Sequence, residues 1–184
     1  MYAKQIYELI ESISPLDEIE IAHKKDALDW IESGVELCRK EKPATPPKHL
    51  VSYAILLDSK RQKILLVDHK KALLWLPVGG HVDPGEHPTA TAKRELQEEL
   101  GVSLQLSIQN PLFLTVTETV GVTAGHIDVS LWYLFEANSE DSYVYDAGEF
   151  NEIQWFSMND LPESRVDPHL RRFMQKLHSC SIFS

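Results

Sequence analysis

Three glutamates, Glu95, Glu98 and Glu99, are spaced i, i+3 and i+4 in a run of good helix formers from Pro88 to Leu100. This spacing places the three carboxylates on one face of a helix, where like charges repel. Arg94 lies beside them and can offset only part of that charge. The negative charge that Arg94 leaves uncompensated suits a hard divalent cation, and Mg²⁺ fits carboxylates together with substrate phosphates. The alternative interpretation is an ordinary solvated acidic face.

The residues before this helix have the composition of a loop and a turn. Asp83-Pro84-Gly85-Glu86 combines a proline with fixed φ and a glycine that tolerates positive φ. Pro88 suits the first helical position, and Gly101 suits the end of the helix. We therefore predict a loop, a turn and a helix of about three to four turns.

The whole run from Gly80 to Val102 matches one extended pattern, G-x5-E-x7-R-E-U-x-E-E-x-G-U, where U is aliphatic. The matched residues are Gly80, Glu86, Arg94, Glu95, Leu96, Glu98, Glu99, Gly101 and Val102. This pattern is the Nudix box, and the chain resembles the Nudix hydrolases, which cleave diphosphate linkages with divalent metals. The intact pattern favours a functional site over an acidic surface.

The resemblance implies a role for each charged residue of the box. Glu95, Glu98 and Glu99 are expected to bind the metal, and a backbone carbonyl of Gly80 or its neighbour Gly79 is expected to complete the coordination. The predicted metal is Mg²⁺, with Mn²⁺ as a substitute.

The predicted catalytic residues are Arg94, Glu95 and Glu98. Arg94 would orient a neighbouring glutamate, and a carboxylate would take the proton from the attacking water. The position of the general base differs among family members, so it stays open here. Glu86 is expected to brace the loop against the helix.

Many family members use a further carboxylate beyond the box. Glu149 is the first candidate for this metal ligand or base, because it lies six residues before Trp155, and Glu152 is the second. The alternative for both is a loop glutamate in water.

Three residues outside the box are candidates for binding substrate. His126 and Asp128 alternate with Ile127, so they share one face of a predicted strand. That face either borders the substrate or is simply the wet side of a sheet. Tyr143 lies in a polar loop and either stacks on a base or packs against the protein.

Composition narrows the classes of function. The chain has 184 residues, 43% hydrophobic residues and a formal net charge of −10. This acidity argues against binding polymeric nucleic acid, which requires Lys and Arg, but it permits a small-molecule nucleotide. The sequence shows no apolar run of transmembrane length and no signal-peptide pattern, so no membrane association and a cytoplasmic location are expected.

The chain is predicted to contain two parts. Residues 1–47 form an N-terminal helical extension with a Pro-rich connector, and residues 48–184 form a Nudix hydrolase domain. The first helix is indicated by Ile6, Leu9, Ile10 and Ile13, and a second begins at Ser14-Pro15. The extension either forms a homodimer contact, covers the cleft or completes the core.

The domain itself is predicted to be an α/β protein, a Nudix-type α/β/α sandwich with a mixed sheet. The predicted strands are 50–57, 63–67, 104–108, 112–120, 127–135 and 154–156. Residues 73–77 lead into the glycines, and residues 167–178 form a closing helix.

The function that follows is a Mg²⁺-dependent pyrophosphohydrolase that cleaves a diphosphate linkage in a nucleotide. A nucleoside triphosphate is the default substrate, because the marks of other subgroups are absent outside the box. A catalytically silent nucleotide sensor is the main alternative, although its usual mark is a broken box. A diphosphate isomerase would need a cysteine near the cleft, and Cys38 and Cys180 both lie outside the box.

Overall fold

The computed structural model of the chain describes residues 1–42 and 44–180. Pro43 of the predicted connector and residues 181–184 of the predicted domain lie outside the described residues. The helices are α1 (Tyr2–Glu11), α2 (Glu18–Glu32), α3 (Pro88–Leu100) and α4 (Leu170–Ser179). The strands are β1 (Lys48–Asp58), β2 (Lys63–His69), β3 (Leu74–Leu76), β4 (Val78–His81), β5 (Phe113–Glu118), β6 (Ile127–Glu136) and β7 (Phe150–Ser157).

All seven strands belong to one mixed sheet in which β1 is central. The main strand order is β3-β2-β1-β6-β5, with β4 pairing to β1 and β7 pairing to β2. The β1–β6 pair is parallel, whereas β1 pairs with β2 and β4 in the antiparallel sense. The β1–β4 register sets Ser52 opposite Gly80 and Val51 opposite His81, so the glycine loop before α3 is held directly against the central strand.

The sheet is buried on both faces, as expected for a strand pattern that is apolar at nearly every position. Leu50, Ala54 and Leu56 of β1 enter one core cluster together with apolar residues of α1, α2 and α3. Ile55 and Leu57 point to the other face and enter a second cluster with apolar residues of α4. The predicted α/β/α sandwich with a mixed sheet and N-terminal helices is confirmed.

The N-terminal helices contribute directly to the first core cluster. Ile6 and Ile10 of α1 are fully buried, and Ile31 of α2 is 6% exposed. Of the three roles considered for the extension, completion of the core therefore has direct structural support.

The sequence patterns misplaced two local features. The strand predicted for residues 104–108 is wrong, because this segment is irregular and only Leu106 forms an isolated bridge, to Phe135. The start of the second helix at Ser14-Pro15 is also wrong. The helix begins at Glu18, because the Asp17 side chain accepts a hydrogen bond from the Glu20 amide and caps the helix there.

Candidate active site

A cleft of about 670 Å³ lies above the carboxyl-rich face of α3 and is bordered by β1, β4, β6 and the loop before β7. Besides apolar residues, its lining contains three groups of charged or titratable side chains. The first group is acidic and comprises Glu95, Glu98, Glu99 and Glu149. The second contains imidazole and carboxyl groups, His81, His126 and Asp128, and the third contains the cations Arg39, Lys42, Lys71 and Arg94.

Arg94 connects the glutamates of the helix to the preceding loop. Its guanidinium donates two hydrogen bonds of 3.1 Å to the two carboxylate oxygens of Glu86. It also donates to Glu95 Oε1 at 2.7 Å and to Glu98 Oε2 at 3.0 Å. The guanidinium thus links the loop residue Glu86 to two glutamates of the helix, and the orienting role of Arg94 stays a prediction.

Glu95 and Glu99 are buried although they are carboxylates, with 9% and 6% of their surface exposed. Burial, together with the neighbouring carboxylates of Glu95 and Glu149, raises the pKa of Glu99 to about 9. Burial also raises the pKa of Glu95, although Arg94 opposes that increase. The two residues therefore form a buried acidic pair whose charge is only partly compensated by the protein.

The glycine loop is shaped around these carboxylates. A Cβ at Gly80 would collide with the Glu95 carboxylate and lie 2.6 Å from its Cδ. The Gly79 amide donates to Glu99 Oε2 at 3.3 Å. Hard divalent cations bind oxygen ligands such as carboxylates and backbone carbonyls. The closely spaced, buried carboxylates beside the glycine backbone therefore fit Mg²⁺ or Mn²⁺.

The structure distinguishes the two candidate carboxylates beyond the box. Glu149 lines the cleft and is close enough to Glu99 to raise the pKa of that carboxyl. Its Oε1 also lies 3.8 Å from Lys71 Nζ. Glu152 lies on β7 with an exposed side chain and is not among the residues that line the cleft.

His126 and Asp128 both line the cleft, which corresponds to the first of the two alternatives left open for their shared strand face. They join two residues that the sequence analysis did not bring together with them, His49 of β1 and His81 of β4. One potential ligand atom from each of these four residues lies within 4.8 Å of the others. Burial lowers the pKa of His81 to about 3, so this imidazole is neutral at physiological pH.

Three other residues considered from the sequence lie elsewhere. Tyr143 packs against Trp155 and donates its hydroxyl to the Asn138 carbonyl at 3.1 Å, away from the cleft lining. Cys38 is buried against Tyr2, and neither it nor Cys180 is among the residues that line the cleft.

Several lining residues were missed because no local pattern marks them. Arg39 and Lys42 precede the domain boundary predicted at residue 48, yet both line the cleft. Asp167 lies just before α4, and burial raises its pKa to about 6. The sequence marks a cleft residue only where a polar residue alternates with apolar residues along a strand. Arg39, Lys42 and Asp167 lie outside the strands, so this signal is absent for them.

The chain belongs to the NUDIX family, because the family model described as NUDIX domain matches residues 47–177. The chain is 31% identical over 119 residues to the uncharacterized Nudix hydrolase YvcI of Bacillus subtilis, covering 62% of this chain and 72% of that protein. The class predicted from the sequence, a Nudix hydrolase, is thereby confirmed.

Two further comparisons agree with this assignment. The m7GpppN-mRNA hydrolase NUDT17 of Xenopus laevis is 43% identical over 60 residues, but the match spans 30% of this chain and only 20% of that protein. The MutT NUDIX hydrolase structure from Burkholderia pseudomallei superposes with a TM-score of 0.56 at 25% identity, covering 71% of this chain and 98% of that one. Within the described residues, no helix has the length and apolarity needed to cross a bilayer.

Proposed function

We propose that this protein is a Mg²⁺-dependent pyrophosphohydrolase that cleaves a diphosphate linkage in a small nucleotide, with nucleoside triphosphates as the first substrates to test. The observation that carries this proposal is the buried Glu95–Glu99 pair, which Arg94 and the glycine loop hold at the base of a cleft. Mn²⁺ is expected to substitute for Mg²⁺, and the cytoplasmic location remains a prediction.

The charged residues of α3, the Gly80 carbonyl and Glu149 have proposed parts in this reaction. Glu95, Glu98, Glu99 and the Gly80 carbonyl would hold the cation, which supplies positive charge to the phosphate oxygens and acidifies water. Arg94 keeps Glu95 and Glu98 oriented, and Glu149 is a further ligand or base. A carboxylate of this group would take a proton from the water that attacks one phosphorus of the diphosphate. The new P–O bond replaces the bond from that phosphorus to the bridging oxygen, and two phosphate-bearing products leave.

The positively charged residues at the cleft support the proposal of a phosphate-bearing substrate, although the chain as a whole has a net charge of −10. Arg39, Lys42 and Lys71 border the cleft and provide local positive charge. Electrostatic attraction is strongest where charge is focused by a cleft, so these residues can attract an anionic ligand despite the acidic surface. The substrate is proposed to be a free nucleotide, and no polymeric nucleic acid, membrane or obligatory partner is part of the proposal.

The test is product release from canonical and oxidised dNTPs, NTPs, ADP-ribose, nucleotide sugars, dinucleoside polyphosphates and capped RNA, with Mg²⁺ or Mn²⁺. Glu98→Gln should lower kcat by about 10²- to 10⁴-fold, because it removes a metal charge and perturbs proton transfer. Glu163→Gln makes the same change at an exposed position and should leave kcat unaltered.

A second function, a catalytically silent nucleotide sensor, predicts a different result. Nucleotides would then raise the melting temperature of the protein in the presence of Mg²⁺ without product release, and Glu98→Gln would weaken that shift. Turnover that survives Glu98→Gln would contradict the proposed roles of the box.

A further inference from the structure

The four residues His49, His81, His126 and Asp128, here called the histidine cluster, have a donor set that differs from the box carboxylates. Three imidazoles and one carboxylate converge from three neighbouring strands or strand ends, β1, β4 and β6. His49 is fully buried and His126 is 6% exposed. Nitrogen-rich sets of this kind prefer Zn²⁺ or another late transition metal over Mg²⁺.

The hydrogen-bonding of His49 determines which ring nitrogen carries its proton. Its Nδ1 lies 2.8 Å from the Pro46 carbonyl, which can only accept, so Nδ1 donates. In a neutral ring Nε2 then presents a lone pair, and it faces Asp128 Oδ1 at 3.4 Å. Both of these atoms are buried without a hydrogen-bond partner.

His126 approaches the same carboxylate oxygen. Its Nε2 lies 3.3 Å from Asp128 Oδ1, and its Nδ1 lies 3.1 Å from the Thr119 hydroxyl. One carboxylate oxygen is thus shared by two imidazole nitrogens, and a cation between these three atoms would stabilise the arrangement.

The distances distinguish a shared cation from a charged hydrogen bond. A hydrogen bond between an imidazolium and a carboxylate is about 2.7–2.9 Å long, shorter than the observed 3.3 and 3.4 Å. Tetrahedral Zn²⁺ with bonds of about 2.0–2.1 Å separates its ligand atoms by about 3.3–3.4 Å. The spacing of both histidine nitrogens from Asp128 matches that tetrahedral edge.

The remaining contacts are those of supporting groups around a metal site. Ligating histidines usually donate their other ring nitrogen to a carbonyl or similar acceptor, as His49 does to Pro46. The other ring nitrogen of His126 lies beside the Thr119 hydroxyl. The third imidazole, His81, has its Nε2 3.3 Å from Arg39 Nη1, and the guanidinium is the donor. Arg39 therefore competes with a metal for His81 and brings a positive charge close to it.

We propose that the histidine cluster is a second metal site, separate from the box carboxylates, that binds one Zn²⁺ through His49, His126 and Asp128, with His81 as the fourth ligand. Binding would join the ends of β1, β4 and β6 at the wall of the cleft. The site depends only on these side chains and stands whether or not the proposed hydrolase activity is found.

The experiment is Zn²⁺ binding to the chelator-treated full-length chain in excess Mg²⁺, which occupies the box. Bound zinc is quantified by elemental analysis after gel filtration, and the melting temperature is recorded with and without Zn²⁺. Wild type is expected to retain one Zn²⁺ per chain and to melt at a higher temperature with it. Asp128→Asn and His126→Gln should each weaken binding by roughly a hundredfold or more.

Three controls make the result specific. His87→Asn removes an exposed histidine while keeping a side-chain cap on α3, and it should bind Zn²⁺ like wild type. Glu98→Gln should also retain the metal, because it alters the box alone. Arg39→Gln should tighten binding, because it removes the competing cation.

The cluster proposal is overturned by any of three results. The first is that wild type binds no more Zn²⁺ than the Asp128→Asn variant, which would leave a histidine–carboxylate network around an imidazolium. The second is that Asp128→Asn and His126→Gln, shown to be folded by circular dichroism, bind Zn²⁺ as tightly as wild type. Zinc that is lost in Glu98→Gln would assign the metal to the box instead.

Discussion

Arg94 and Glu86 face each other across the turn that precedes α3, and the guanidinium contacts both carboxylate oxygens at 3.1 Å. Thr91 adds a hydroxyl hydrogen bond of 2.7 Å to the same carboxylate. Burial alone would raise the pKa of Glu86, but the hydrogen bonds from Arg94 and Thr91 outweigh it and lower that pKa. The loop is thus fixed to the helix by a charged, two-pronged contact, and the same arginine orients Glu95 and Glu98.

This contact predicts that Arg94→Lys lowers kcat by roughly 10²-fold, because a lysine cannot hold Glu86 and the box glutamates in the same fork geometry. Steady-state kinetics on the best substrate of the panel, with circular dichroism as a check on folding, provides the measurement. Lys93→Gln alters the neighbouring exposed residue and should leave kcat unchanged. An Arg94→Lys variant with wild-type kcat would show that the fork is not needed.

Glu149→Gln separates a metal or base role from that of a solvated loop residue. We expect it to raise the Mg²⁺ concentration needed for half-maximal rate or to lower kcat at least tenfold, because it removes charge beside Glu99. Without metal, the same variant should melt at a higher temperature than wild type, because the repulsion among the carboxylates decreases.

Glu152→Gln is the matched control, since this glutamate is exposed on β7 and its charge is not directed into the cleft. Identical metal dependence in Glu149→Gln and Glu152→Gln would remove Glu149 from the site.

Replacing the buried Asp167 by asparagine is expected to stabilise the folded protein at neutral pH. Burial raises its pKa from 3.8 to about 6, so the folded protein favours the protonated carboxyl. Stability therefore falls as the pH rises from about 4 to about 6, and the loss persists at neutral pH. Asp167→Asn keeps an oxygen that can accept from the His169 amide, which now donates to Oδ1 at 2.7 Å, but carries no charge.

Urea unfolding should therefore show Asp167→Asn to be more stable than wild type by about 1–3 kcal/mol at pH 7. The difference should vanish near pH 3, below the pKa of Asp167 in both the folded and the unfolded state. Asp160→Asn, at an exposed position, should change little at either pH. A variant that is no more stable at pH 7 than wild type would contradict the unfavourable burial of this charge.

The box was predictable from sequence because its information is local. Turn residues, a proline at the first helical position, the glycine at the end of α3 and the glutamate spacing all lie within one continuous segment, and α3 has the predicted bounds. The division of β1 side chains between the two faces of the sheet is also local information, because successive residues of a strand point to opposite faces whatever the partner strands are.

The rest of the site depends on pairing between distant segments. His49 and Asp128 become neighbours only because β1 and β6 are parallel with His49 opposite Asp128. His81 joins them through the register of β4 on β1. No spacing within a single segment encodes such a register, so the sequence indicated His126 and Asp128 as a pair and left the other two histidines unconnected.

Glu20 shows how a buried charge overrides a helix pattern. From its apolar side chain Ile19 would be expected to face the core, yet Ile19 is 49% exposed and Glu20 is fully buried. Glu20 accepts from Lys176 Nζ of α4 at 2.7 Å and from the Leu114 amide of the edge strand β5 at 3.2 Å. The helix is therefore rotated toward its polar partners, which sequence periodicity does not reveal.

This pair predicts that the N-terminal helices and α4 stabilise each other. Lys176→Met leaves the Glu20 carboxylate buried without its cation, and we expect a loss of about 3–5 kcal/mol in the free energy of unfolding. Glu20→Gln combined with Lys176→Met should recover much of that loss, because the neutral amide oxygen can still accept from Leu114.

Urea unfolding of the single and double variants measures this coupling. Lys4→Met is the control, because its ion pair with Glu8 is 3.5 Å long and largely exposed on α1, and it should cost at most about 0.5 kcal/mol. If Lys176→Met costs no more than Lys4→Met, or if the double variant is less stable than the single one, the buried pair does not hold α2 against α4. If Lys176→Met costs more than Lys4→Met and the double variant recovers stability, the helices before β1 belong to the folded core that supports the cleft.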